Sequence, residues 1–73
     1  MRARDLLRAI MREPLKYYVH TQEGSHRKMK SAAGYPDLLF SFHDAQTLAP
    51  GLVRKVLVKD VGLTPEQAIG LLR

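Results

Sequence analysis

The chain opens with apolar residues at the spacing of an amphipathic helix. They predict a first helix from Ala3 to about Arg12, with an apolar stripe of Leu6, Leu7, Ile10 and Met11. Pro14 ends this helix at or just before Glu13, because proline lacks the N–H group that a continuing helix needs. A second stripe, which we interpret as a solvated face rather than a binding surface, consists of Arg4, Arg8 and Arg12.

The middle of the chain changes to the composition and two-residue alternation of β-strands. Aromatic, β-branched and alternating apolar residues predict strands from Lys16 to Gln22, from His26 to Ala32 and from Asp37 to His43. Gly24 predicts the turn between the first two strands, and residues 33–36 predict the next connection. The strands therefore follow one another as an antiparallel meander.

Helical spacing returns in the last third of the chain. Pro50 stands where a second helix begins, and residues 51–61 continue it around a stripe of Val53, Val56, Leu57 and Val61. Gly62 is a stop signal for this helix. The run Thr64-Pro65-Glu66-Gln67 then supplies an N-cap, a first-turn proline and the glutamine of a capping box. A last short helix is expected to about Leu72.

These elements predict an α+β fold in the order helix, three strands, helix, short helix. We expect the helices to cover one face of a three-stranded antiparallel sheet and to leave the other face in water. With 73 residues and no repeat, linker or low-complexity tract, the chain is expected to be a single domain spanning residues 1–73. A chain of this length has little room for a closed pocket, so we expect a shallow site.

Alternation along the strands places the histidines on the open face. If Met29, the only large apolar residue of the second strand, faces the helices, then His26, Lys28 and Lys30 face water. The same rule applied to the other two strands points these residues outward: Lys16, Tyr18, His20, Leu39, Ser41 and His43.

The first hairpin needs a particular loop to keep this alternation. Pairing Val19 with Met29, both inward, requires an odd number of loop residues. We therefore predict a three-residue loop of Glu23, Gly24 and Ser25, with Gly24 in the left-handed region.

Charge and composition narrow the kind of partner. The formal net charge of +5 and the sequence pI of about 10.0 favour nucleic acid, an anionic membrane or an acidic protein. No apolar run reaches the roughly 18 residues that a spanning helix needs, and we expect no membrane partner. The absence of cysteine excludes disulfides and thiolate chemistry and fits a reducing, cytoplasmic location.

The run from Gly24 to Lys30 combines a turn, an imidazole and several cations. RNA cleavage without a metal needs a base for the 2′-hydroxyl proton, an acid for the leaving oxygen and cations for the phosphoryl charge. His26 can act as base or acid, and His43 is a candidate second proton carrier or a group that orients His26. The candidate phosphate ligands are the side chains of Arg27, Lys28 and Lys30 and the turn at Gly24 and Ser25.

Three motifs resemble those of a known family. Gly24-Ser25-His26 is similar to a GSH signature after a first strand, and Phe42-His43 stands near the end of the third strand. Residues 48–57, followed by Val61-Gly62-Leu63-Thr64, are similar to a recurring tail of the form L-x-x-G-(T/L)-(L/V)-R-x-I-L and then A-G-L-(S/T). In this order and spacing, over nearly the whole chain, they resemble the HicA family of ribosome-independent mRNA interferase toxins, which are paired with HicB antitoxins.

The resemblance implies a fold like that of double-stranded-RNA-binding domains and a catalytic role for His26. It also implies an endoribonuclease that needs no metal or small-molecule cofactor, an mRNA substrate, and a HicB-like antitoxin that covers the catalytic face. HicA-like proteins act as the toxin of a type II toxin–antitoxin system.

Other interpretations of the same residues stay open at this point. A non-catalytic RNA-binding module, or a module that mainly forms protein complexes, would use the same fold and charge. A zinc site built from His20, His26 and His43 is geometrically conceivable, but the spacing matches no recognised ligand pattern.

Overall fold

Three helices and three antiparallel strands form the fold, and the computed structural model describes residues 1–73. The elements are α1 (Ala3–Met11), β1 (Tyr17–Glu23), β2 (His26–Ser31), β3 (Leu38–Phe40), α2 (Pro50–Arg54) and α3 (Pro65–Leu72). A π-helical segment (Lys55–Asp60) continues α2 without a break. This order confirms the α+β fold predicted from the sequence.

The sheet is covered on one face only. Its strands follow the order β1-β2-β3, and every pair is antiparallel. The residues that the sheet contributes to the core all lie on the face toward the helices, and they are Tyr17, Met29, Leu38 and Phe40. No residue of the opposite face is buried, so that face is free to meet a ligand.

The β1–β2 turn differs from the predicted three-residue loop. Glu23 pairs with His26, so only Gly24 and Ser25 form the loop. Gly24 has φ +60° while Ser25 is not in the left-handed region, as in a type II′ turn, whose twist suits a two-residue hairpin. Val19 still pairs with Met29 as predicted. A β-bulge between Val19 and Thr21 accommodates the extra residue that the shorter loop leaves in β1.

Strand β3 is shorter than the predicted stretch from Asp37 to His43. Phe40 pairs with Arg27, and β2 begins only one residue before Arg27. Beyond Ser41 the third strand therefore has no partner with which to pair. His43 consequently lies in the following connection, where its carbonyl oxygen accepts a hydrogen bond from the Gln46 N–H at 2.9 Å.

The helices pack their apolar stripes against this sheet. The predicted stripe of the second helix is confirmed, since Val53, Val56, Leu57 and Val61 are all buried. In α1 the prediction is only partly right: Leu6 and Ile10 are buried, but Met11, in the last turn, is 43% exposed. Ala3 and Ala9 complete the buried face of α1.

The arginine stripe of α1 faces water, as expected from a solvated face. Arg4, Arg8 and Arg12 are all exposed. Arg12 nevertheless has a structural contact, because its guanidinium donates to the Leu71 carbonyl at 3.3 Å near the end of α3. No helix of the structure is long and apolar enough to cross a membrane.

The two ends of the second helical region are held in different ways. The Val61 N–H donates to the Val56 carbonyl at 3.0 Å, five residues back, as in a π-helix. After Gly62, at φ +92°, the predicted capping box is present. The Gln67 N–H donates to the Thr64 hydroxyl at 3.2 Å, and the Thr64 N–H donates to the Gln67 side chain at 2.9 Å.

Tyr17 fixes the connection between β2 and β3 from inside the core. It is 2% exposed, and its hydroxyl donates to the Pro36 carbonyl at 2.6 Å. Burial raises the pKa of the Tyr17 hydroxyl to about 12, with smaller contributions from Asp37 and Tyr35. The neutral phenol thus anchors the loop that leads into β3.

Candidate functional site

The uncovered side of the sheet, which we call the open face, gathers charged and aromatic side chains. Directly opposed residues of antiparallel strands share a face. By register, the open face consists of Glu23 and His26 next to the turn, then Thr21, Lys28 and Leu39, then Tyr18 and Lys30. Alternation in β2 therefore places His26, Lys28 and Lys30 together, as predicted from Met29.

Lys28 lies between two shallow depressions of the open face. The first, which we call the turn depression, is lined by Thr21, Gln22, Glu23, His26, Lys28 and Leu39. The second, the bulge depression, is lined by His20, Lys28, Met29, Lys30, Asp37, Leu38 and Leu39. Lys28 can therefore reach a phosphate in either depression, whereas His26 serves only the first.

The two lysines of this face differ in their present partners. Lys28 is exposed and forms no ion pair or side-chain hydrogen bond within the chain. The Lys30 ammonium lies 3.1 Å from an Asp37 carboxylate oxygen, and both side chains are well exposed. An exposed pair of this kind contributes roughly 0–1 kcal/mol, so a phosphate can readily displace the carboxylate.

Arg27 lies on the other side of the sheet from these lysines. Its side chain is only 12% exposed, and its guanidinium lies 2.8 Å from an Asp44 carboxylate oxygen. It also donates to the Phe42 carbonyl at 3.5 Å and lies 6.0 Å from the Phe40 ring centre. Arg27 therefore lies apart from the other candidate phosphate ligands, and its contacts stabilise the position of residues 42–44. The sequence already contained a signal for this orientation, because a residue two positions before the inward-facing Met29 must also face inward.

The three histidines are not brought together. His26 lines the turn depression, His20 in the bulge lines the bulge depression, and His43 lines neither. No three histidine, aspartate or glutamate side chains of the chain are placed to hold a metal ion. Lys16, predicted to face outward on the first strand, precedes β1 with φ +53°, and its ammonium lies 3.3 Å from a Glu13 carboxylate oxygen.

The turn itself presents backbone donors beside His26. The N–H groups of Gly24 and Ser25 make no backbone hydrogen bond, and the Gly24 carbonyl is held by the Gln22 side chain at 3.0 Å. These two N–H groups can donate to a phosphate oxygen at the edge of the turn depression.

Glu23 is the member of the site that sequence reasoning missed. In the predicted three-residue loop the Glu23 side chain had no defined direction. The observed two-residue turn instead makes Glu23 the register partner of His26. The signal was present, because Gly-Ser at the two central positions is typical of a type II′ hairpin.

Because Arg27 and Lys28 face opposite sides of the sheet, we expect substitution of Arg27 to lower stability and substitution of Lys28 to weaken ligand binding. Arg27→Ala is expected to lower the free energy of unfolding by about 1.5–3 kcal/mol, because a charge-assisted contact and the packing on Phe40 are lost. Lys28→Ala is expected to leave stability within about 0.5 kcal/mol of the parent, because its side chain contacts no partner.

Urea unfolding and RNA binding, measured on both variants, check this pair. We expect Lys28→Ala to weaken binding to single-stranded RNA and to reduce the dependence of log K on log salt by about one unit. Folded Arg27→Ala should keep the parental salt dependence. The reverse assignment, with a salt effect from Arg27 and a stability loss from Lys28, would contradict the placement of the two side chains.

Comparison with known proteins identifies no relative: no family model matches the chain, and neither a curated protein nor a solved structure matches it. The chemistry of the open face therefore carries the functional proposal.

Proposed function

We propose that this protein is a small endoribonuclease, a toxin of the HicA type, that binds RNA on the open face and cleaves it with His26. The observation that supports this most directly is the placement of an exposed imidazole beside an unpaired ammonium, Lys28, in one shallow depression. A proton carrier next to a cation is the combination that phosphodiester cleavage requires. The open, shallow shape suits a long polyanion better than a small metabolite.

The proposed reaction divides the work among neighbouring groups of the open face. His26 either takes the proton of the ribose 2′-hydroxyl or gives a proton to the leaving oxygen. Lys28 neutralises negative charge that builds up on the non-bridging phosphate oxygens, Lys30 holds an adjacent phosphate, and the turn N–H groups of Gly24 and Ser25 add donors. The reaction needs no metal ion in this proposal, since proton transfer and charge neutralisation both come from side chains.

A protein partner is the second part of the proposal. Leu39 is 58% exposed on the open face, where it belongs to the edge strand β3 and lines both depressions. An exposed apolar side chain close to Lys28 and Lys30 fits an acidic protein that covers the face and contacts Leu39. A HicB-like antitoxin, covering His26 and Lys28 together, is such a partner.

Incubation of the purified chain with an in vitro transcript in excess chelator tests the enzymatic proposal. We expect cleavage that persists in EDTA, and we expect induction of the chain in cells to arrest growth and degrade mRNA. Co-expression of a HicB-like protein, if one is encoded in the adjacent reading frame, is expected to restore growth. Intact RNA under all conditions, with salt-sensitive binding retained, would contradict the nuclease and favour a non-catalytic RNA-binding module.

The exposed Leu39 also favours one alternative, a module that mainly forms protein complexes. In that case a partner that binds the open face would be captured, Leu39→Ala would weaken the complex, and neither RNA binding nor cleavage would be seen.

A further inference from the structure

Glu23 and His26 form a matched pair across the β1–β2 turn. They are the two residues that flank the type II′ turn, and they are register partners in the antiparallel ladder. Directly opposed residues carry their β-carbons about 4.5–5.5 Å apart on the same face of the sheet. Both side chains are exposed, and both line the turn depression together with Lys28.

Glu23 is one of only two acidic residues that no cation of the chain engages. The paired acids are Asp5, Glu13, Asp37, Asp44 and Asp60. The unpaired ones are Glu23 and Glu66, and Glu66 lies in the first turn of α3, away from the sheet. A free carboxylate in a depression that otherwise favours anions is unfavourable for simple phosphate binding, which argues that it has a different task there.

We propose that Glu23 is the second catalytic group of the open face and acts as the general base, with His26 as the general acid. This inference rests on the nuclease proposed above and names the residue that completes its reaction. It gives the role considered for His43 to a residue that shares a depression with His26, which His43 does not.

The proposed step is a balanced transfer with no outside reactant. The Glu23 carboxylate removes the proton of the ribose 2′-hydroxyl, and the 2′-oxygen forms a bond to phosphorus. The bond from phosphorus to the 5′-oxygen breaks, and protonated His26 gives its proton to that leaving oxygen. Lys28, in the same depression, neutralises the negative charge on the non-bridging oxygens. The products are a 2′,3′-cyclic phosphate and a free 5′-hydroxyl.

Glu23→Gln, with Glu66→Gln as the matched control, tests the assignment. Both substitutions remove one exposed, unpaired carboxylate and raise the net charge equally, so Glu66→Gln controls for the change in net charge. We expect Glu23→Gln to lower the cleavage rate by about 10²–10⁴-fold, the usual contribution of a general base. RNA affinity should be retained or improved, and Glu66→Gln should cleave like the parent.

The pH dependence of cleavage separates a base from a merely structural carboxylate. The parent is expected to lose activity both at low pH, where a carboxylate base is protonated, and at high pH, where imidazole is neutral. The Glu23→Gln variant should lose the low-pH limb and keep the high-pH limb. An RNA with a single 2′-deoxyribose at the cleaved position should resist the parent enzyme.

The results of these experiments separate the role proposed for Glu23 from the nuclease function on which that role rests. A parent that does not cleave RNA, or that cleaves equally well after His26→Ala, removes both proposals together. Cleavage that depends on His26 but falls by less than about threefold in Glu23→Gln overturns only the role of Glu23. A lower rate with the low-pH limb intact also overturns the base assignment.

Discussion

His26→Ala is expected to abolish RNA cleavage while leaving the fold and RNA binding intact. In the proposed reaction His26 is the group that protonates the leaving oxygen, and general acid–base groups contribute about 10²–10⁴-fold to a rate. The side chain is exposed and makes no hydrogen bond to the rest of the chain. Its removal therefore costs little stability, and an alanine supports the β2 backbone as well.

Three measurements on the same preparation check this expectation. Cleavage of a labelled transcript should be lost, thermal unfolding should match the parent within about 0.5 kcal/mol, and RNA binding should stay salt-dependent. Expressed in cells, the variant should no longer arrest growth. Full cleavage by a folded His26→Ala protein would eliminate His26 as the catalytic residue.

His43→Ala and His20→Ala serve as the matched controls, since each also removes one exposed imidazole. His43 follows β3 and lines neither depression, so we expect its variant to keep most of the activity. His20 lies beside Lys28 and Lys30, so its loss is expected to affect binding rather than the rate at saturating RNA. A loss in His43→Ala equal to that in His26→Ala would restore His43 as the second proton carrier.

The fold was predictable from the sequence because its signals are local. The capping box at Thr64 and Gln67 defines the start of α3, and the spacing of Val53, Val56 and Leu57 defines the buried side of the second helix. The alternation of Leu38 and Phe40 defines the inward face of β3. Each of these features depends on a few neighbouring residues, and in this fold the tertiary packing agrees with them.

The details that the sequence missed depend on how distant segments compete for partners. The end of β3 is decided by where β2 begins, and the bulge at His20 is decided by how Val19 and Met29 must meet. For the site, these adjustments matter: they remove His43 from the sheet and bring Glu23 into it.

Arg27, predicted as a phosphate ligand together with Lys28 and Lys30, lies on the opposite face of the sheet from them. A guanidinium between a histidine and a lysine is a natural phosphate ligand, yet Arg27 shares its face with Met29 and contacts Asp44. A strand can present only every second residue to one ligand. The cations that β2 presents on the open face are therefore Lys28 and Lys30, spaced by two residues.

The second large effect is expected from Phe40→Ala, which should remove most of the free energy of unfolding and leave the domain marginally stable. Phe40 is fully buried, and its ring packs edge-to-face on Phe42 with 5.1 Å between centroids. It also supports the Arg27 guanidinium. Phenylalanine-to-alanine changes in cores cost about 3–5 kcal/mol. A domain of this size has a stability near the low end of the usual range of roughly 5–15 kcal/mol.

Leu39→Ala provides the matched control, because Leu39 is the adjacent residue of the same strand but points to the open face. It is 58% exposed, so we expect its loss to change stability by less than about 1 kcal/mol. Urea unfolding followed by circular dichroism compares the two variants directly. Similar losses from both would contradict the one-sided sheet. A stable Leu39→Ala protein that no longer binds the proposed protein partner would show that the sheet separates the two tasks by face, with folding on one side and recognition on the other.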